Sequence, residues 1–224
     1  MAARMNEGAA SKTIYLIRHG AADGVMGRCI GHTDVVLSDE GRAQCAALAL
    51  AWRPPAGSVL WCSDLARAHA SARSLAESWG MTSTPLRLDA ALRECAFGEW
   101  DGRTWADIES ADAVRLNTWM RDWTTVAPPG GESLPMFANR VRTALTRIAE
   151  SDGTHHVIVS HAGVLRAMLC HILGAPHSAA FGWAMPYARV SAVTVSAALA
   201  ETDLVRGTVN WLNAFPPPSS IARA

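Results

Sequence analysis

Two short segments set a histidine at the end of an apolar run: Arg18-His19-Gly20 after Thr13-Ile14-Tyr15-Leu16-Ile17, and His161 after Val157-Ile158-Val159-Ser160. Open α/β sheets take ligands at the carboxyl ends of their strands, so two such histidines can converge on one pocket. A neutral imidazole is a nucleophile toward phosphorus, provided cations neutralise the equatorial oxygens. Arg18 supplies one cation, and Gly20 lets the backbone approach a ligand closely. In Cys62-Ser63-Asp64-Leu65-Ala66-Arg67 a second arginine falls one turn into a helix that starts at another strand exit. His161-Ala162-Gly163 crosses a strand-to-helix junction, where free N–H groups and the helix dipole favour an anion. Leu92-Arg93-Glu94 puts a carboxyl group on the loop after a third strand, able to protonate a leaving oxygen and then deprotonate water.

Each of these residues also has an ordinary use. Arg67 could pair with Asp64 or Glu77 on a helix surface. Glu99 and Asp101 share the loop of Glu94 and compete for its role. His32 reads as a loop residue flanking the pocket, and His69, His155, His156, His171 and His177 carry no metal-ligand spacing. Trp100, Trp105, Trp119 and Trp123 suit core or lid packing, with a stacking platform for a flat leaving group as the sharper alternative.

The positioning elements follow from hydrophobic period and punctuation. A strand over 13–18 comes first, then a helix capped by Ser38 and running to about Trp52, ended by Pro54-Pro55. A strand over 58–62 leads into a helix capped by Ser63 or Asp64 and ending near Trp79, and 86–88 forms a short strand. Residues 104–123 look helical. A long helix over 132–150 buries Phe137, Val141, Leu145 and Ile148, and a strand over 156–160 enters a helix over 163–173. Two β-rich runs, 189–196 and 204–211, close the chain as an edge hairpin. Alternating strands and helices predict an α/β fold: three α/β/α layers around a mostly parallel sheet, with a helical lid insertion. One domain over 13–215 is expected, its lid at roughly 96–131, between a disordered N-terminus (1–12) and a disordered tail (216–224).

The 224 residues balance 20 basic against 20 acidic side chains, which argues against a polyanion-binding surface. Lys12 is the single lysine, so arginine carries nearly all the positive charge. Five cysteines, odd in number and without a CxxC, read as free thiols in a reducing cytoplasm. No signal-peptide core and no run of transmembrane length is present. The partner expected is a small-molecule phosphate ester, with no nucleic acid and no membrane; a homodimer stays open.

Further pieces fall in register with these. They are Gly27-Arg28 with Gly31-His32-Thr33-Asp34, Leu37-Ser38 through Gly41, Ser63-Asp64-Leu65-Ala66-Arg67-Ala68, Phe97-Gly98-Glu99-Trp100-Asp101-Gly102, and Gly130-Gly131-Glu132-Ser133. A lone Arg-His-Gly is weak evidence; six collinear pieces over roughly 13–175 are strong. The chain resembles the histidine phosphatase superfamily, in its phosphoglycerate-mutase-like branch. That resemblance implies that His19 becomes a phosphohistidine and Glu94 is the proton donor. Arg18, Arg67 and His161, with Gly20 and Ala162 beside them, hold the phosphoryl group, and neither metal nor other cofactor is implied. One departure stands out: Ala21-Ala22-Asp23-Gly24-Val25-Met26 follows Arg-His-Gly, where relatives carry a Thr and a phosphate-touching Asn.

Mutases of this branch resemble one another in a longer insertion and a paired arginine, both lacking here, so net hydrolysis is expected. The run Phe97-Gly98-Glu99-Trp100-Asp101-Gly102-Arg103-Thr104-Trp105 and the stretch Trp119-Met120-Arg121-Asp122-Trp123 resemble α-ribazole phosphatases of cobalamin assembly. Their substrate joins a flat benzimidazole to a ribose phosphate. The alternatives are mutase-type phosphoryl transfer and a non-catalytic phospholigand-binding relative, the latter suggested by the altered 21–26 loop.

Overall fold

The apolar runs form six strands: β1 (Lys12–Arg18), β2 (Val59–Cys62), β3 (Leu86–Leu88), β4 (His155–Ser160), β5 (Val190–Ser196) and β6 (Arg206–Ala214). The structure is a computed structural model, which describes residues 11–196 and 205–215. One sheet holds all six strands in the order β3-β2-β4-β1-β5-β6. The first four of that order run parallel, and β5 and β6 add antiparallel. The mostly parallel sheet and the edge hairpin are therefore present, with β6 extending to Ala214. The termini expected to be disordered lie outside the described residues, except for Ser11 and Lys12 of the N-terminal segment, and Lys12 opens β1.

Five longer helices pack on the sheet or beside it: α1 (Asp39–Ala51), α2 (Ala66–Ser78), α3 (Trp105–Asp122), α4 (Leu134–Glu150) and α5 (Ala162–Leu173). Successive strand residues point to opposite faces, and β1 divides accordingly. Ile14 and Leu16 join Val141, Leu145, Ile148 and Leu165 in one core, while Tyr15 and Ile17 join Cys45, Leu48 and Leu75 in the other. Phe137, Val141, Leu145 and Ile148 thus form the buried stripe that their spacing predicts. A third, smaller core of Cys29, Trp100, Ile108 and Leu116 ties α3 to the loops before it. α3 breaks at Asp112 (φ −146°, ψ 33°), whose carboxylate accepts from Trp100 Nε1 and Arg115 Nε. Among the described residues no helix is long and apolar enough to cross a membrane.

Ser38 caps α1 as expected, its side chain accepting from Gly41 N. The cap of α2 differs from expectation. Leu65 occupies the N-cap position, and Asp34, arriving from another loop, accepts from Ala66 N at 2.6 Å. Ser63 and Asp64 are engaged elsewhere: Ser63 Oγ meets His161 Nε2, and Asp64 binds the Arg93 guanidinium. A tertiary ligand has replaced a local cap.

The turn between β1 and α1 is packed backbone to backbone. A Cβ at Gly20 would lie 2.4 Å from Gly41 O, and one at Gly41 would lie 2.1 Å from Ala21 O. Gly20 is thus required by the helix behind it. Its N–H is also taken, donating to Ser71 Oγ at 3.0 Å. Gly41→Ala is expected to destabilise the fold by about 1–3 kcal/mol through overpacking, read as a lower midpoint in urea unfolding.

Candidate active site

β1, β2 and β4 are parallel neighbours, so their carboxyl ends open on the same edge of the sheet. His19 follows β1, Ser63 follows β2, and His161 follows β4 as the N-cap of α5. The two imidazoles meet edge to face with ring centroids 5.0 Å apart, and both are almost fully buried. Arg67 stands at the second position of α2, 2 % exposed, and does not take the surface pairing with Asp64 or Glu77. It donates instead to Thr33 O (3.0 Å) and Gly31 O (2.7 Å). Arg18 donates to Met185 O at 2.6 Å, and its buried Nε has no partner among the described residues.

The state of His19 follows from its surroundings. Nδ1 lies 2.6 Å from Gly20 O, and a carbonyl can only accept, so Nδ1 carries the proton and Nε2 keeps its lone pair. Burial lowers its pKa to about 3, with Arg67 and Arg18 pushing the same way against the opposing pull of the Gly20 hydrogen bond. His161 is held well below its usual value by burial, and then by His19, Arg67 and Arg18. Its Nε2 meets Ser63 Oγ at 2.8 Å, whereas Nδ1 is buried without a partner. This cluster concentrates positive charge with empty hydrogen-bonding capacity, an arrangement suited to an anion.

Glu94 joins the cluster from the loop after β3. Its carboxylate accepts from Gly163 N and Cys95 N, each at 3.0 Å, and its charge is felt by both Arg18 and Arg67. A Cβ at Gly163 would lie 2.2 Å from Glu94 Oε1, so glycine there makes room for the carboxyl group. Glu99 and Asp101, the rival carboxylates, are otherwise engaged. Glu99 pairs with exposed Arg115, and Asp101 accepts from Gly31 N, His32 N, Thr33 N and Thr33 Oγ1. Asp101 therefore shapes the very loop whose carbonyls orient Arg67.

Several supporting residues carry no signal in a linear reading. Arg140 of α4 donates to the carbonyls of Ala91, Arg93 and Glu94 while paired with Glu132, clamping the loop that bears Glu94. His32, expected beside the pocket, donates Nε2–H to Glu94 O at 2.9 Å. Tyr187 lies against both Arg18 and His19. Arg140 adjoins the buried stripe of α4, which is the one hint the sequence offers. The 21–26 loop turns away: Ala22 bridges to Leu37, Asp23 N donates to Val36 O, and Met26 is fully exposed.

A cavity of about 300 Å³ adjoins the cluster at Glu94, Ala162 and Gly163. His19, Arg18 and Arg67 are not among its walls, so it lies beside the charged cluster rather than around it. Phe97, Trp105, Trp119, Trp123 and Phe181 line much of it, with Arg28 and Arg166 at its margin. Trp105 and Trp119 stack at 16° with centroids 6.2 Å apart. Trp100 is fully buried core, so the four tryptophans divide between packing and cavity wall.

The family model for the histidine phosphatase superfamily (branch 1) matches residues 14–205, and the chain belongs to that superfamily. It is 28% identical over 200 residues to the adenosylcobalamin/alpha-ribazole phosphatase of Salmonella typhimurium, covering 88% of this chain and 98% of that one. It is 34% identical over 178 residues to the glucosyl-3-phosphoglycerate phosphatase of Mycobacterium tuberculosis, covering 74% and 77%. The solved alpha-ribazole phosphatase of Shigella flexneri superposes with a TM-score of 0.77 at 26% identity, over 90% of this chain and 96% of that one. Family and relatives together make the chain a phosphate-ester hydrolase.

His19 also couples folding to pH. Between its folded pKa of about 3 and the usual histidine value near 6.5, the unfolded chain holds a proton that the folded chain refuses. Stability therefore falls as pH drops through that window, by up to about 1.4 kcal/mol per pH unit from this one group. Urea unfolding between pH 7 and 4 should show a shallower loss in His19→Gln than in wild type.

Proposed function

We propose that the chain hydrolyses a small phosphate monoester in two displacements at phosphorus, with a phosphohistidine on His19 between them. The observation that carries this reading is the fixed tautomer of His19. Its Nδ1–H is spent on Gly20 O, so a neutral Nε2 is left beside two guanidinium groups. Nε2 attacks phosphorus, the bond from phosphorus to the leaving oxygen breaks, and protonated Glu94 gives that oxygen its proton. Glu94, now a carboxylate, takes a proton from water as the water oxygen attacks phosphorus. The N–P bond then breaks, its electrons return to Nε2, and inorganic phosphate leaves.

Arg18 and Arg67 balance the charge of the equatorial oxygens, aided by the amide of Ala162 at the first turn of α5. When the Ser63 hydroxyl donates to Nε2 of His161, the proton of that ring sits on the unpartnered Nδ1, a donor for a phosphoryl oxygen. Gly20 supports the site by letting α1 pack closely behind His19. In this reading residues 13–215 form one catalytic domain, with 96–131 as a lid over the leaving group. The cytoplasm is its compartment, a proposal supported by free thiols at all five cysteines.

For the leaving group we infer a flat aromatic body. The adjoining cavity has indole and phenyl walls and meets the charged cluster at Glu94, the residue that must reach the leaving oxygen. α-Ribazole phosphate fits that description, and the similarity to alpha-ribazole phosphatases supports it. A glycosylated phosphoglycerate is the competing substrate, named for the mycobacterial relative; its polar sugar suits these walls less well.

Turnover of α-ribazole phosphate, glucosyl-3-phosphoglycerate and p-nitrophenyl phosphate should vanish in His19→Ala, together with acid-labile labelling of the protein. Turnover that persists in that variant would overturn the mechanism. Glu94→Gln should lower kcat on substrates with poor leaving groups by about 10²–10⁴-fold. With p-nitrophenyl phosphate, whose leaving group needs no proton, the phosphoryl-enzyme should still form and then accumulate. Trp119→Ala should raise KM for α-ribazole phosphate while leaving KM for a small aliphatic phosphate near the wild-type value.

A further inference from the structure

Antiparallel pairing of β5 with β1 sets Val190 opposite Ile17, so the residues that precede β5 arrive beside the carboxyl end of β1. Ala188 N donates to Arg18 O at 3.1 Å, which ties this incoming segment to the nucleophile loop. Ala188 is fully buried and has φ of +45°, a left-handed conformation that a residue with a Cβ seldom adopts. Such local strain persists where surrounding structure enforces it, and it concentrates at functional positions. The side chain held beside this turn is Tyr187. Its ring lies over Arg18, 3.7 Å from Cζ to centroid, and 5.5 Å from the His19 ring.

The Tyr187 hydroxyl has no hydrogen-bond partner among the described residues, yet it is not among the buried unpartnered atoms. The hydroxyl is therefore accessible to solvent, on a half-buried ring that stands against Arg18 and His19. The ring thus sits between Arg18, one of the guanidinium groups assigned to phosphate, and His19. The chain after His19 supplies no side chain for such a position, because 21–26 turns away against 36–38. A phenol can donate a hydrogen bond without adding negative charge beside the phosphate, as a carboxylate would.

We propose that Tyr187 is a phosphate-binding residue, its hydroxyl donating to a non-bridging phosphoryl oxygen while its ring holds the Arg18 guanidinium in place. The proposal rests on the phosphatase reading, and the experiment separates the two. Tyr187→Phe removes the hydroxyl and keeps the ring; Tyr187→Leu removes both. The readouts are kcat/KM on p-nitrophenyl phosphate and the affinity for inorganic phosphate by calorimetry. Loss of a hydrogen bond to a charged ligand predicts a drop of about 10- to 100-fold in both quantities for Tyr187→Phe. Tyr187→Leu should lose more, because Arg18 is also released. Unaltered phosphate affinity and turnover in Tyr187→Phe, with loss only in Tyr187→Leu, would reduce the residue to packing and overturn the proposal while leaving the phosphatase intact. A wild-type chain that neither turns over phosphate esters nor binds phosphate would overturn both.

Discussion

Crowding of like charge around His19 is the constraint on which the rest of the molecule depends. Two guanidinium groups and two imidazoles meet at one sheet edge with little water to screen them, and Glu94 is the carboxylate that both arginines sense there. Such a cluster can fold only if its titratable members give up their protons, and both histidines are held far below their usual pKa. The same penalty that strips His19 of charge leaves it the lone pair that the proposed nucleophile needs. In the proposed function a phosphate dianion offsets that crowding, so the cost of gathering the cations becomes affinity for the ligand.

Holding guanidinium groups under that repulsion demands neutral acceptors, because a buried carboxylate partner would cancel the charge the site requires. Backbone carbonyls meet the need: Met185 O for Arg18, and Thr33 O and Gly31 O for Arg67. Apart from Glu94, whose carboxylate is held by the amides of Cys95 and Gly163, the full negative charges stand one layer further out. Asp101 gathers the amides of the 31–33 loop, and Glu132 pairs with Arg140, which grips the Glu94 loop by its carbonyls. Carboxylates thus set the geometry at a distance, and carbonyl dipoles deliver it at contact.

This layering explains what could be seen in the linear chain and what could not. His19, His161 and Arg67 were legible because each follows an apolar run or its helix start, and the sheet edge does the gathering. The cap of α2 lies beyond a linear reading because Asp34, 32 residues away, reaches Ala66 N ahead of the local Ser63 and Asp64. Gly20 reads from the sequence as a close approach to a ligand, and the fold adds a close approach to α1 behind it that no linear pattern shows. Tyr187 and Arg140 escaped because their roles come from strand order and helix docking, which periodicity does not encode. An antiparallel β5 beside β1 would have pointed to Tyr187, but nothing in the run 189–196 distinguishes that neighbour from others.

Separation of the charged cluster from the aromatic cavity bears on how such a site acquires its substrate. The cluster is anchored on parallel strand ends and cannot shift without disturbing both cores. The cavity is built from α3, its flanking loops, α4, α5 and the turn around Phe181, and of these α3 and the loops before it are held by the small third core. Replacing a tryptophan there changes the shape of the cavity without touching the histidines and arginines of the charged cluster. Glu94 is the exception, since it borders the cavity and also contacts the first turn of α5. In the proposed mechanism a change in leaving-group shape must still bring the leaving oxygen within reach of that one carboxyl group, and this geometric demand limits the substrates that the aromatic walls can be remodelled to accept.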